Sequence, residues 1–293
     1  MSYIHNFCSQ YDFPADAIIF LDADHQRLEA NPQAYSIFCT QVGHYDPNAA
    51  FDHIPVFEAL HGLTESTGIH PYTLDLLYLI SLMPALEAWY RQEEIDPQLF
   101  HNFARNLAGV ASDCFGLHGV WGTYIGWWLI DFFKGKLFSF GRLQFRRRKL
   151  RRQVGNYPQG IYYLDVHVPP GGSLTPALCD KAYAQAASFY RSRYGMEEIL
   201  VGCHSWLIHP DITKLLPETS NILAFGRRYQ VLETMPDPES KAASFIFRLP
   251  ALPEDFHDLP EDTSLRRAVK QHLLAGNTID TAFGFMHYTP NDG

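Results

Sequence analysis

Residues 161–176 read IYYLDVHVPPGGSLTP, and this stretch decides the predicted fold. The β-branched and aromatic residues of 161–168 favour a strand. The pair Pro169–Pro170 ends it, because proline supplies no N–H to a ladder of hydrogen bonds. The pair Gly171–Gly172 then permits a tight turn with positive φ. The stretch therefore predicts a strand that stops abruptly at a glycine turn.

A helix and a second strand are expected after this turn. Thr175 is a suitable N-cap, and Pro176 suits the first helical position, where a missing N–H does no harm. The helix should run to about Tyr194, because Gly195 is a typical C-terminal stop. The apolar run Ile199–Val201 predicts a strand buried on both faces. Strand, helix and strand in succession predict a right-handed parallel crossover.

Two groups of polar residues are candidates for a site. Side chains alternate along a strand, so Tyr163, Asp165 and His167 share one face, which either borders solvent or lines a polar pocket. His204 and Ser205 follow the second strand, where ligands of open α/β sheets collect, and histidine can act as a general base near neutral pH. The structural alternative is a capping Ser205, a core tryptophan and a hydrogen-bonded His204.

The glycine turn is a candidate anion site. It lies beside the predicted N-terminus of the helix, where free N–H groups and the helix dipole favour an anion such as phosphate. The alternative is that Gly171–Gly172 only makes a turn, since the stretch contains no complete phosphate-loop motif.

The whole chain limits the classes of function. It has 293 residues and a net charge of −9, which disfavours nucleic acid as a partner. Its five cysteines are scattered without a CxxC pair, as expected of a reduced, cytoplasmic protein. No signal peptide is recognised, and the apolar runs 76–86 and 120–133 are shorter than the ~20 residues that span a bilayer, so no membrane partner is expected.

Two domains are predicted. Residues 1–118 have helical periodicity, and the glycine-rich segment 116–126 marks the expected junction with a domain at 119–293. The basic run 146–152 is interpreted as a solvated hairpin tip or as a source of cations for phosphates. Strands are expected at 227–232 and 244–249, where they could pair as a hairpin. The predicted fold class is α+β or α/β.

Four blocks of the sequence resemble a known family. They are His167–Gly172, Cys203–Leu207, Ser220–Arg228 and Leu259–Ala268. They are similar to conserved blocks of the bacterial acyltransferase-domain proteins, which pair a helical N-terminal N-acyltransferase domain with a GNAT-like C-terminal domain. The resemblance covers most of 120–290 and is looser over 1–118.

The resemblance implies a GNAT-type mixed sheet flanked by helices and acyl-CoA as co-substrate. In that fold two parallel strands splay apart, here 161–168 and 199–203, and the pantetheine arm lies in the gap. The pyrophosphate would lie at the helix that starts at Thr175. The implied cofactor-binding residues are Val168, Gly171, Gly172, Ser173, Thr175 and Ser205. The chain departs from the usual Gln/Arg-x-x-Gly-x-Gly/Ala loop, because it has Pro-Pro-Gly-Gly-Ser-Leu-Thr instead.

The reaction implied is acyl transfer to an amine or hydroxyl of a small molecule. We expect His204 to act as the base with help from His167 or Asp165, and Tyr229 to act as the acid. A backbone N–H near Val168 would polarise the thioester carbonyl. The alternative function is a catalytically silent GNAT-like ligand-binding module, and the sequence allows a homodimer.

The same region contains residues suited to two other chemistries. Cys203, His204 and His209 could be metal ligands, but their spacing fits no standard zinc pattern, so no metal is expected. Cys179 or Cys203 could be a nucleophile, although Cys203 belongs to a predicted buried strand and is expected to be inert.

Overall fold

The computed structural model describes residues 2–49 and 52–289, and the chain divides into two compact units. Unit 1 is Met1–Ser139 and unit 2 is Phe140–Gly293. The predicted boundary after residue 118 lies earlier in the chain. Among the described residues, no helix has both the length and the apolar character needed to cross a bilayer.

Unit 1 is helical, as its periodicity predicts. Its helices are α1 Tyr3–Gln10, α2 Ala15–Glu29, α3 Pro32–Gly43, α4 Ile54–His61, α5 Thr64–Thr67, α6 Pro71–Gln92, α7 Pro97–His118 and α8 Gly126–Phe133. The most buried is α6, whose residues 73–80 are all in the interior. The N-terminus of α7 is capped by Asp96, whose side chain accepts from the N–H of Gln98 at 2.8 Å.

The glycine-rich segment predicted as a junction belongs to unit 1, where it packs against the start of α6. The N–H of Thr123 donates to the carbonyl of Tyr72 at 2.9 Å, and the hydroxyl of Thr73 donates to the carbonyl of Trp121 at 2.9 Å. A Cβ on Gly122 would lie 2.4 Å from the carbonyl carbon of Tyr72. Glycine is needed at position 122 because two backbones approach closely there. The glycine-rich stretch therefore packs within unit 1 and is not a linker.

Unit 2 is built on a mixed sheet flanked by helices, which confirms the predicted fold class. The elements from residue 137 onwards are β1 Leu137–Phe140, β2 Leu143–Lys149, β3 Tyr162–His167, α9 Pro176–Tyr194, β4 Ile199–Ser205, α10 Pro210–Leu215, α11 Asn221–Gly226, β5 Gln230–Met235, α12 Lys241–Phe247, α13 Ser264–Leu274 and β6 Thr281–Tyr288. The strand order is β1-β2-β3-β4-β6-β5, and the division between the units falls within β1.

The predicted strand, helix and strand are β3, α9 and β4, and β3 pairs with β4 in parallel. Helix α9 covers the face that carries Phe145 of β2, because the hydroxyl of Tyr190 donates to the carbonyl of Phe145 at 2.8 Å and the ring of Tyr183 contacts Phe145. Phe145 pairs with Val166, whereas Asp165 pairs with Arg146 on the opposite face.

The parallel pairing of β3 with β4 is short. Its register consists of Leu164 with Val201 and Asp165 with Gly202. In contrast, β4 pairs with β6 along its whole length, from Ile199 to Ser205. The β3–β4 ladder therefore ends before His167 and His204, as expected for strands that splay apart.

The prediction of a strand at 244–249 is wrong, and so is the expected hairpin. Residues 244–247 belong to α12, with Arg248 as its C-cap, and the partner of β5 is β6. Ala242, Ala243, Ile246 and Phe247 are the buried apolar residues of α12. Their spacing fits one face of a helix, and short apolar runs cannot be assigned to strand or helix by periodicity alone.

Replacing Gly122 by alanine should destabilise unit 1 by about 1–3 kcal/mol, because the clash is with backbone atoms that cannot move aside. The matched change Gly116→Ala, in α7 with nothing within 4 Å, should stabilise it by about 0.5–1 kcal/mol. Four of the five tryptophans lie in unit 1, so urea unfolding followed by tryptophan fluorescence measures both effects. Equal stabilities for the two variants would contradict the close-approach role.

Candidate functional site

A buried carboxylate lies at the centre of the candidate site. Asp165 of β3 is only 3% exposed, and two guanidinium groups and one imidazole converge on its Oδ2 atom. Nη2 of Arg146 lies at 3.2 Å, Nη1 of Arg148 at 3.1 Å and Nε2 of His167 at 3.1 Å. Because β2 pairs antiparallel with β3, Arg146 stands directly opposite Asp165.

These partners decide the charge of Asp165. Burial by itself would raise the pKa of this carboxyl, but the hydrogen bond and charge of His167, together with Arg148, outweigh burial and hold the pKa at about 2. Asp165 is therefore an anion throughout the physiological pH range. Such a weak base cannot deprotonate an acceptor, so the chemistry available to Asp165 is to orient and charge-balance its neighbours.

The two candidate histidines lie on one face of the sheet, where β3 and β4 part. Asp165 pairs with Gly202, so His167 and His204, each two residues further along its strand, point to the same side. His167 is half-buried, while His204 keeps much of its ring exposed. The structure thus brings together Asp165, His167 and His204.

His204 has the environment of a neutral base. Desolvation is the main cause that lowers its pKa below 6.5; Arg148 and His167 act in the same direction, and Asp165 opposes them. Its Nε2 lies 3.2 Å from Oγ1 of Thr281, and that hydroxyl also lies 3.4 Å from the carbonyl oxygen of Met235. If the hydroxyl donates to this carbonyl, it accepts from Nε2–H, a tautomer that leaves the lone pair on Nδ1.

The glycine turn has the backbone conformation that the sequence predicts. Gly171 has φ 79° and Gly172 has φ 68°, both in the left-handed region that favours glycine. Helix α9 begins directly after Thr175, but the Thr175 side chain makes no capping hydrogen bond. The turn is exposed to solvent, so an anion would have access to it.

Three other predicted cofactor residues have more ordinary surroundings. The hydroxyl of Ser173 accepts from Nδ2 of Asn221 at 3.1 Å, which links the glycine turn to α11. The hydroxyl of Ser205 accepts from the N–H of Leu207 at 3.1 Å and so caps the short turn that follows β4. Val168 lies one residue beyond the end of β3.

Tyr229 lies away from the two histidines. Its hydroxyl shares a buried hydrogen bond with the hydroxyl of Tyr183, which is on α9. Helix α9 covers the sheet face opposite to the one that carries Asp165, so the structure does not bring Tyr229 together with the histidines. Burial raises the pKa of Tyr229 well above 10, which keeps its phenol protonated.

The thiol and metal alternatives receive little support from the geometry. Burial raises the pKa of Cys179 and Cys203, which disfavours the reactive thiolate at either position. His209 is buried, and its Nδ1 accepts from the N–H of Asp211 at 3.3 Å as the cap of α10. Within residues 2–49 and 52–289, no group of three His, Cys, Asp or Glu side chains is placed to hold a metal ion.

Several arginines matter more than sequence reasoning indicated. Arg146 and Arg148, interpreted as part of a solvated tip or a source of cations for phosphates, instead bind Asp165. The alternation of Leu143 and Phe145 with Gln144 and Arg146 was the available signal. Arg142 donates to three carbonyls of the glycine turn, and Arg228 reaches the carbonyl of Pro176 at the start of α9. No sequence pattern marked Arg142, and Arg228 lay at the end of the block Ser220–Arg228 with no role assigned to it.

Asp165→Asn should destabilise the protein by about 3 kcal/mol at pH 7, because it leaves two guanidinium groups without their counter-ion. The control Glu233→Gln, in an exposed pair with Arg152, should cost less than about 1 kcal/mol. Because the pKa of Asp165 is lowered in the folded protein, the ionised carboxylate stabilises the fold. Its contribution to the free energy of unfolding is complete above pH 4 and is lost as pH falls towards 2.

Urea unfolding followed by circular dichroism between pH 7 and pH 2 measures this dependence. The difference in stability between the wild type and Asp165→Asn should shrink below pH 4. A difference that is the same at every pH would mean that the carboxylate charge does not stabilise the fold.

Two family profiles match the chain. The N-acyltransferase N-terminal domain matches residues 3–135, and the GNAT-like C-terminal domain matches residues 137–286. The junction of the two matches lies close to the division between units 1 and 2. No curated protein matches the chain.

Solved structures of acyltransferases share the fold. One, in complex with decanoyl-CoA, has a TM-score of 0.74 and 22% identity, and the match covers 97% of this chain and 87% of that chain. Another, in complex with decanoyl-CoA and teicoplanin, has a TM-score of 0.69 and 21% identity over 97% and 87% of the two chains. A third, with CoA and 10C-teicoplanin, has a TM-score of 0.65 and 23% identity over 82% and 81%.

The profile matches and the mixed sheet with its short parallel pairing agree on one assignment. The chain belongs to the acyltransferase family that pairs an N-acyltransferase N-terminal domain with a GNAT-like C-terminal domain.

Proposed function

We propose that the protein transfers an acyl group from acyl-CoA to an amine or hydroxyl of a small molecule. The observation that carries the proposal is the pair His167 and His204 on one sheet face, where the parallel ladder of β3 and β4 stops. A gap between two splayed strands can admit an extended pantetheine arm, and a base beside that gap can meet its thioester. The decanoyl-CoA and CoA complexes of the solved acyltransferases of the same fold are consistent with this co-substrate.

The binding end of the proposed site is the turn before α9. The N-terminus of α9 carries the positive end of the helix dipole, and Arg228 lies at its first turn, with Nη2 3.5 Å from the carbonyl oxygen of Pro176. These groups, with Gly171–Gly172, would hold the pyrophosphate. The acyl thioester would then extend towards the end of β3 at Val168, whose N–H is the proposed donor to the thioester oxygen.

His204 is the proposed general base. Its lowered pKa keeps the imidazole neutral at pH 7, and its ring is accessible. In the proposed step it takes the proton of the acceptor as the new C–N or C–O bond forms and the C–S bond breaks. The leaving thiolate then receives a proton, and the products are the acylated acceptor and CoA. Tyr229 is less favoured as the donor of that proton than the protonated His204, because Tyr229 lies on the other sheet face.

Asp165 and His167 have a supporting role in this proposal. The permanent negative charge of Asp165 holds the ring of His167 by a contact of 3.1 Å. The same charge opposes the lowering of the pKa of His204 and would stabilise its imidazolium during proton transfer. Asp165 is therefore a positioning residue, whereas His204 touches the reacting atoms.

The alternative is a GNAT-like module that binds its ligand without turnover, which the unusual Pro-Pro-Gly-Gly turn favours. Calorimetric titration with decanoyl-CoA, followed by a thiol-release assay with simple amines and teicoplanin as acceptors, separates the two functions. Binding with acceptor-dependent release of CoA supports the transferase. Binding of decanoyl-CoA without release of CoA under all acceptors supports the module, and no binding of decanoyl-CoA contradicts the transferase.

His204→Ala should lower the turnover number by roughly 10²–10⁴-fold, the usual contribution of a general base, with little change in the Kd for decanoyl-CoA. The control His257→Ala removes an exposed histidine of the same unit whose partner is Asp255, and its turnover should match the wild type. The thiol-release assay measures both. Wild-type turnover in His204→Ala would remove this residue from the role of base.

The pH dependence of kcat/KM should have an acid limb with a midpoint below 6.5. Because the pKa of His204 is lowered, the ring loses its base function only when pH falls through that lowered value, and activity reaches a plateau above it. Initial rates between pH 4.5 and 8 measure the limb. A midpoint above 6.5 would contradict the assignment of the limb to His204.

A further inference from the structure

We infer that Arg142 is a positioning residue that braces the glycine turn, so that two backbone N–H groups are pre-set to bind the pyrophosphate of acyl-CoA. The inference rests on the proposed function. The inference explains how a turn without the usual phosphate-loop sequence can bind the same group. Arg142, in the turn that precedes β2, holds the backbone in place of the missing residues.

The guanidinium of Arg142 is bound to the turn by all three of its nitrogens. Nε donates to the carbonyl of Ser173 at 3.1 Å, Nη1 to the carbonyl of Pro169 at 2.9 Å and Nη2 to the carbonyl of Gly172 at 3.3 Å. The planar fork of arginine has a fixed geometry, so three simultaneous bonds fix both ends of the turn. The fork is thereby occupied by protein acceptors.

The direction of these carbonyls sets the direction of the N–H groups. In a trans peptide the C=O of one residue and the N–H of the next point to opposite sides. The carbonyls of Gly172 and Ser173 face Arg142, so the N–H groups of Ser173 and Leu174 face away from it. Within the described residues, neither N–H has an acceptor in the protein. The peptide between Pro169 and Pro170 offers only a carbonyl, which Arg142 uses.

The glycines and Asn221 complete the brace. Gly171 and Gly172 both have positive φ, which reverses the chain and lets carbonyls at both ends of the turn meet one guanidinium. In addition, Nδ2 of Asn221 donates to the hydroxyl of Ser173 at 3.1 Å. The turn is thus held by two side chains, while the N–H groups of Ser173 and Leu174 have no acceptor within the described residues.

A pre-set turn should strengthen binding of the pyrophosphate and leave binding of the thioester unchanged. A flexible turn must be ordered when the anion binds, and that ordering weakens binding. Arg142→Gln should therefore raise the Kd and KM for decanoyl-CoA by roughly 10- to 100-fold, the cost of ordering one or two residues. The kinetic constants for S-decanoyl-pantetheine, which has the thioester but no pyrophosphate, should stay within about twofold of the wild type.

Two further variants separate bracing from simple attraction between charges. Arg142→Lys keeps the charge but places its donors on one nitrogen, so it cannot span three carbonyls and should be as weak as Arg142→Gln. Arg152→Gln removes an arginine of the same unit from its exposed pair with Glu233 and should bind decanoyl-CoA like the wild type. Hydrogen exchange of the amides of 171–175 should be faster in Arg142→Gln without any ligand.

Each outcome has one meaning. Wild-type affinity in Arg142→Gln or Arg142→Lys, or equal losses with decanoyl-CoA and S-decanoyl-pantetheine, would overturn the bracing role while the proposed function stands. Failure of the wild type itself to bind decanoyl-CoA would instead remove the proposed function, and the role of Arg142 with it. Weaker binding of decanoyl-CoA alone, with faster exchange in the turn, is the expected result.

Discussion

The interaction on which unit 2 depends is the buried contact between Asp165 and its neighbours Arg146, Arg148 and His167. A carboxylate inside a sheet is costly unless it is paired, and here two guanidinium groups of β2 and the imidazole of His167 on β3 contact it. The cluster joins β2 to β3 at the last position where β3 is still in register with β4. Asp165 therefore links β2 to the end of the paired region and also contacts the histidine beyond it.

The strands part immediately after this cluster, and this brings the polar groups to one place. Beyond Asp165 and Gly202 the parallel register stops, so His167 and His204 flank an opening instead of a continuous ladder. The glycine turn and the start of α9 follow β3 directly, so N–H groups lie at the same end of the sheet. In the proposed function, an amide-lined turn beside His204 would suit an anionic acyl donor.

Sequence reasoning failed where two physical solutions share one pattern. The apolar run 244–249 suits a buried strand or a helical face, and only its packing as part of α12 decides between them. The glycines of 116–126 suit a linker or a close backbone contact, and only the approach of Gly122 to Tyr72 shows the second. The arginines of β2 also fit a solvated hairpin tip, and only the strand register, which places Arg146 opposite Asp165, excludes that interpretation.

The sequence by itself determined the strand, the glycine turn, the helix and the second strand of 161–205, because proline, glycine and apolar periodicity act locally. It also determined that Asp165 and His167 share a face, since alternation along a strand is a local property. Tertiary structure decided that Arg148 and Arg146 neutralise Asp165, that Arg142 holds the turn, and that Tyr229 lies on the opposite face from His204. These facts depend on strand order and register, which bring together residues distant in the chain and which no local pattern encodes.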